Sequence, residues 1–261
     1  MDNHADFSNS ATNWLSKNIL HKVVWRHYAN KLEPYVNRLY GVLPARVDFL
    51  TDVYGLPAEK CELLVMGADD ELVEEALKPE VKKKTREKYG IANDDFLIMN
   101  GGKIDNAKKQ TLLLMDAVNQ IENEKIKLIV FGSVIPELKE EVEKRCSDKV
   151  QYIGWVESNE SGNYFGAADL VVFPGRHSVF WEQAVALGIP MVVKHWEGTT
   201  HVDIGGNVKY LYKDSADEIK KVIEKIVNGD YEGMKNAAHG EKREQFLYSR
   251  IANQAIRDVL A

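Results

Sequence analysis

From about residue 84 onward the chain switches regularly between short, β-branched apolar runs and longer amphipathic stretches, and this alternation restricts its fold more than any other feature. "DDFLIMNGG", "IKLIVFG", "KVQYIG", "DLVVFPG", "PMVVK" and "NVKYLYK" read as strands. "KKQTLLLMDAVNQIEN", "PELKEEVEKRC", "SGNYFGAA", "SVFWEQAVALG" and "ADEIKKVIEKIVNG" carry the spacing of helices between and after them. Strands that return through helices make βαβ crossovers. The expected fold is therefore α/β, a doubly wound parallel sheet with helices on both faces, preceded by an N-terminal helical or linker segment. In open sheets of this kind ligands sit beyond the carboxyl ends of the strands, so function is sought in the loops there.

The strand ending at Met99 runs into "NGGKIDNAKKQT". Gly101 and Gly102 allow close backbone approach, and Lys103 and Lys108 stand five residues apart around a bend. Two ammonium groups at a strand-to-helix loop suit a diphosphate, which takes point charges and backbone donors together. Lysines near a helix start are otherwise solvated surface, and neither GxxxxGK[ST] nor GxGxxG occurs as a strand-to-helix motif. A second candidate is "PGRHSVFWEQAVALGIPMVV", residues 174 to 193. Ser178 is expected to cap a helix over 179–187 whose free amides face "PGRH", an anion-binding arrangement. Glu182 follows on the same helical face among Val, Phe and Trp, where a carboxylate buried alone is costly and needs a partner. A vicinal diol such as that of a ribose would satisfy it; a partly exposed glutamate salt-bridged to Arg or Lys is the plainer alternative.

Composition removes several classes. The chain is 44% hydrophobic and 28% charged, ordinary globular material, and its apolar runs are too short to span a bilayer. The start, "MDNHADFSNS", lacks a signal-peptide pattern, so a cytoplasmic location is expected. A net charge of −6 argues against nucleic-acid binding. Cys61 and Cys146 have no ligand spacing and read as free thiols. "HWEGTTHVDIGG" offers His195, Glu197, His201 and Asp203 without the HExxH spacing, so no metal is expected. Trp155 is a candidate to stack on a base, or else simple packing. "KPEVKKKTREKYG" reads as a charged helix face. Charge is uneven, however: residues 14–46 hold six basic side chains against Glu33 alone, with two tryptophans and three tyrosines. That composition suits an anionic membrane surface, but the reading adopted is a helix with a solvated basic face, packed through Leu15, Ile19, Val23 and Tyr28.

In their order along the chain, several of these stretches resemble the donor-binding half of a two-domain, Rossmann-type (GT-B) glycosyltransferase, similar to the retaining family 4 type. The resemblance runs from about residue 40 to the end. "ARVDFLTDVYGLPAEKCELLVMGADDELV" resembles the passage from acceptor to donor domain, usually written around Y-G-(V/I)-P and N-G-V-D. "NGGKIDNAKKQTLLLMDAV" resembles the G-R-x(4)-K-G loop, which implies that Gly102, Lys103 and Lys108 bind the donor diphosphate. "FGS" resembles a G-x-G-like turn, "VQYIGWV" the strand whose following backbone touches the base, and "FLYSRIANQAIRDVL" the terminal helix that crosses back to the acceptor domain.

The chain departs from the family in two places. Aligning "EQAVALGIPMVV" on E-A-M-A-x-G-x-P-V-V implies that Glu182 is the ribose-contacting second glutamate of a pair, but Pro174 stands where the sugar-contacting first one belongs. The sugar-facing role then passes to Arg176, His177 or Ser178, with His177 and Arg176 the catalytic candidates and retention of configuration open. In this the chain also resembles epimerases acting on nucleotide-linked N-acetylglucosamine. At the front, only the last fragment of an acceptor domain fits before residue 70. The implied organisation is an acceptor-domain remnant and linker at 1–83, a nucleotide-sugar donor domain at 84–245 and a crossing helix at 246–261. The implied function is that of a bacterial glycosyltransferase of hexosyltransferase type taking a UDP- or GDP-sugar for surface polysaccharide or glycan synthesis. It would need no cofactor or obligatory metal and would be incomplete on its own. An acceptor-domain partner chain and peripheral contact with the inner face of the membrane are further expectations. The alternatives are a non-catalytic nucleotide-binding half and an epimerase-like hydrolase.

Overall fold

The computed structural model describes residues 2–260, with side chains described to Arg257. Two compact units make up the chain: the first comprises Met1–Met66, Trp196–His201 and Ser249–Ala261, the second Gly67–His195 and Val202–Tyr248.

The first unit holds a three-stranded parallel sheet in the order β1-β2-β3, formed by β1 (Asp2–Asn3), β2 (Leu39–Gly41) and β3 (Cys61–Leu63). Between β1 and β2 runs one helix, π-wound over Ser16–Trp25 and continuing as α1 (Arg26–Leu32); α2 (Pro44–Asp48) follows β2. Within the π-wound stretch the buried positions are Ser16 and His21, five apart, which is the i→i+5 step of such a helix. Its core gathers Leu39, Phe49, Leu50, Val53, Tyr54 and Leu56, and Gln254 on the C-terminal helix Tyr248–Leu260 donates to the Leu63 carbonyl at 2.9 Å. Cys61 is a buried free thiol and Cys146 an exposed one. The expected packing face is corrected here: Leu15, Ile19, Val23 and Tyr28 are 58%, 40%, 58% and 54% exposed. The helix rests instead on Ser16, His21 and Ala29, with His21 against the rings of Phe49 and Tyr54, because its π winding buries positions five apart and turns the i, i+4 stripe of Leu15, Ile19 and Val23 outward.

His21 is buried, with Nδ1 2.9 Å from the Tyr54 hydroxyl, and burial holds its imidazole below the ordinary value of 6.5. The unfolded chain therefore binds the proton more readily than the folded one, and stability is lost as pH falls through and below the ordinary histidine value. The melting midpoint of the wild type is expected to fall more steeply than that of His21→Asn between about pH 7.5 and about pH 5.5. Parallel curves for the two proteins would contradict this.

The second unit carries a six-stranded, wholly parallel sheet in the order β6-β5-β4-β7-β8-β9. Its strands are β4 (Phe96–Gly101), β5 (Ile126–Phe131), β6 (Val150–Tyr152), β7 (Leu170–Phe173), β8 (Met191–Lys194) and β9 (Val208–Leu211), each within a run read as a strand from sequence. The flanking helices are α3 (Asp70–Ala76), α4 (Pro79–Lys88), α5 (Thr111–Asn119), α6 (Lys139–Glu143), α7 (Ser161–Ala167), α8 (Phe180–Ala186), α9 (Ala216–Lys225) and α10 (Tyr231–Ala238). Ile98, Leu128, Val150, Leu170 and Val192 from neighbouring strands are wholly buried, as expected of strands covered on both faces. The chain builds outward from β4 to β6, then returns to the other side of β4 and builds outward from β7 to β9. Strand order thus reverses between β4 and β7, and the loops leaving those two strands must part, which opens a crevice.

Candidate functional site

The recess at this reversal lies between the loop after β4, with Asn100, Gly102, Lys103, Lys108 and Thr111, and the loop after β7, with Phe173 to Arg176 and Ser178. Asn100 is buried and joins the two strands: its Nδ2 donates to the Val172 carbonyl at 2.7 Å, and its Oδ1 accepts from the Thr111 hydroxyl at 3.3 Å. Two glycines set the backbone. Gly102 has φ +128° and Gly132, at the end of β5, has φ +125°, a region open to glycine. A Cβ on Gly132 would lie 1.9 Å from the Gly102 carbonyl oxygen, so the β4 and β5 loops approach as closely as backbone allows. The rings of Phe131, Phe165 and Phe180 support them, Phe165 lying 5.1 Å from each of the other two.

Lys103 is largely exposed and 3.4 Å from Asp105. Asp105 also makes the bend, since its Oδ1 accepts the backbone N–H of Ala107 at 2.9 Å and of Lys108 at 3.2 Å. Lys108 is half-buried, and no carboxylate lies within ion-pair distance of it among the described residues. Desolvation pushes its ammonium below the ordinary lysine value, while Asp105 pulls it back up. A half-buried cation whose nearby carboxylate stands beyond ion-pair distance is a place where an incoming anion gains.

Glu182, whose place among apolar neighbours raised the need for a partner, is completely buried, and its Oε1 lies 2.7 Å from Nε2 of His177. His177 in turn stands edge-on to Trp181, ring centroids 5.1 Å apart. The expected capping role of Ser178 is corrected. Val179 precedes α8 in helical backbone and no side chain caps the helix; Ser178 contributes its carbonyl, which accepts the Trp181 N–H at 2.9 Å. With Val179 already in helical backbone, Ser178 enters the first turn through its main chain, and its hydroxyl makes no capping bond.

Of the residues singled out from sequence, Gly102, Lys103, Lys108, Arg176 and Ser178 line one recess. His177 and Glu182 pair with each other outside that lining, and Trp155 is 63% exposed after β6, also outside it. Sequence reasoning passed over Asn100 and Thr111, and took Gly132 only as the centre of the turn-like "FGS". Asn100 had a visible signal, an amide at the end of an otherwise apolar strand run; the close approach of Gly132 to Gly102, thirty residues earlier, had none.

A family profile described as glycosyl transferases group 1 matches residues 95–228, from β4 to the end of α9 and just over half of the chain. An uncharacterized glycosyltransferase of Methanocaldococcus jannaschii is 22% identical over 217 residues, 78% of this chain and 55% of that protein, so the chain spans about half the length of this curated relative. Anabaena HepE, solved in complex with UDP, superposes with a TM-score of 0.74 at 19% identity, over 94% of this chain and 69% of HepE. The UDP-GlcNAc 2-epimerase of Neisseria meningitidis, solved with UDP-GlcNAc bound, superposes with a TM-score of 0.62 at 14% identity, over 98% of this chain and 67% of the epimerase. Identities this low speak for the fold alone.

Proposed function

The chain belongs to the group 1 glycosyl transferases, GT-B in fold, and on that premise we propose that the recess between the β4 and β7 loops holds the diphosphate of a UDP- or GDP-sugar donor. The observation that carries this reading is Lys108, half-buried in the recess with no carboxylate at ion-pair distance among the described residues, beside glycine backbone at the reversal of strand order. Lys103 and Lys108 would offset the charge that grows on the leaving diphosphate, a stabilisation by fixed groups that calls for no obligatory metal. Glu182 accepts hydrogen bonds only, so it can take the ribose hydroxyls in exchange for His177. Arg176, His177 and Ser178 are then the groups next to the sugar, and Trp155 the group for the base. Synthesis of a surface polysaccharide or glycan is the setting the family resemblance suggests.

Calorimetry with UDP and GDP is expected to show micromolar to millimolar binding, about −4 to −8 kcal/mol. Glu182→Ala should weaken nucleotide binding while sparing pyrophosphate. Absence of both heat and thermal shift with either nucleotide at millimolar concentration would sink the donor reading. Transfer also requires an acceptor held in near-attack geometry, which contributes up to about 7 to 11 kcal/mol. The 261 residues alone are proposed to bind donor with little or no transfer. Radiolabelled UDP- and GDP-sugars with a crude membrane acceptor test this: robust incorporation overturns it, and release of free sugar with nucleotide favours an epimerase-like hydrolase.

A further inference from the structure

The helix Ser16–Leu32 is seated on the first unit through buried Ser16, His21 and Ala29 and through the Asn30 amide, which donates to the Tyr54 carbonyl at 2.8 Å, and most of its large apolar side chains are left in solvent. Leu15, Ile19, Val23, Trp25 and Tyr28 are 40% to 58% exposed and Trp14 71%; Tyr35, just past the helix, is 85% exposed. A soluble surface seldom leaves so many large apolar side chains contiguous unless something covers them.

The charges indicate what does. Lys17, Lys22, Arg26 and Lys31 are exposed along the same segment. Its one acidic residue, Glu33, is already engaged by Lys60 at 2.6 Å. The protein as a whole carries −6, so this stretch is positive against an acidic background. The buried centre of a protein–protein interface is depleted in lysine, whereas here lysines alternate with the apolar side chains. Lysine and arginine can lay their aliphatic stems along an apolar layer and keep their charge at its edge. Tryptophan and tyrosine favour the boundary between hydrocarbon and water. No described helix is long and apolar enough to cross a membrane, so a helix of this kind lies in the boundary plane.

We propose that the exposed face of the helix Ser16–Leu32, with Trp14 and Tyr35 at its ends, docks the protein on an anionic lipid bilayer. The inference is independent of the donor site, since no residue of that site takes part.

Co-sedimentation of the full chain with vesicles tests it, using phosphatidylcholine alone and phosphatidylcholine with about one-third phosphatidylserine, each at low and high salt. Retention on the anionic vesicles, falling steeply with salt, is expected. The triple variant Lys17→Gln, Lys22→Gln, Lys31→Gln should lose about a hundredfold in partition coefficient, at about fivefold per basic residue. Trp14→Ala with Trp25→Ala should weaken binding to both vesicle types. Melting midpoints within a degree or two of the wild type would show that the variants are folded, and nucleotide binding should not change. No retention on anionic vesicles at low salt, or retention indifferent to the lysine changes, overturns the proposal. So does self-association without lipid that the tryptophan changes abolish, because the face would then join two copies of the chain.

Discussion

Gly132→Ala is expected to lose about 2 to 5 kcal/mol of stability and most of the nucleotide affinity. At φ +125° an alanine is strained, by about 1 to 3 kcal/mol. Its Cβ would also stand 1.9 Å from the Gly102 carbonyl oxygen and 2.6 Å from the carbon, an overlap with backbone that no rotamer relieves. Gly132 itself is held on both sides, its N–H donating to the Gly154 carbonyl at 2.7 Å and its carbonyl accepting from the Tyr152 hydroxyl at 2.7 Å. The loop that gives way is therefore the one after β4, which carries Gly102 and Lys103 into the recess. Gly205→Ala is the control, because Gly205 has φ +136° but open space where its Cβ would be. It should show the backbone strain without the collision and keep nucleotide binding. Equal losses of stability for the two variants in urea unfolding would show that the approach of the two loops does not matter.

Arg86→Ala is expected to cost about 3 to 5 kcal/mol, a larger effect than any surface charge would give. Arg86 is the buried member of an otherwise solvated helix, α4. Its guanidinium donates to the Ala167 carbonyl at 3.2 Å, to Asp169 at 3.1 Å and to the carbonyls of Ala92 and Asp95, so one planar fork joins α4 to the entrances of β4 and β7. Asp169 also accepts the Leu97 N–H at 2.8 Å. Truncation leaves that carboxylate and several carbonyls short of donors in a place water reaches poorly. Arg86→Lys should restore only part of the loss, since an ammonium cannot reproduce the fork. Urea denaturation measures both; a loss under about 1 kcal/mol for the alanine variant would mean that the network contributes little beyond exposed pairs.

The six strands of the second unit were legible because each is a local signal, a short β-branched run between turn residues, and burial on both faces lets such a run be wholly apolar. The strands of the first unit were not. β1 has two residues and β2 and β3 three each, too short for periodicity to register. The charged stretch "KPEVKKKTREKYG" read correctly as a helix with a solvated face, but nothing local distinguishes Arg86 from the cations around it. The basic aromatic segment was a helix as expected, yet the sequence could not show which side would find a partner, since that depends on the π winding that sets His21 rather than Leu15, Ile19 and Val23 against Phe49 and Tyr54.

By itself, then, the sequence determined the parallel α/β sheet, its loops at the carboxyl ends of strands, the family, and the lysines and glycines from which a diphosphate site can be made. These are properties of short windows, set by side-chain period and turn chemistry. Tertiary structure alone decided that the loops after β4 and β7 face one another, because strand order is a matter of long-range pairing. It also decided that Lys108 is half-buried while Lys103 stays exposed, and that the completely buried Glu182 meets His177. Desolvation belongs to the packed environment rather than to the residue, so its consequences for charge appear only once the chain has closed around it.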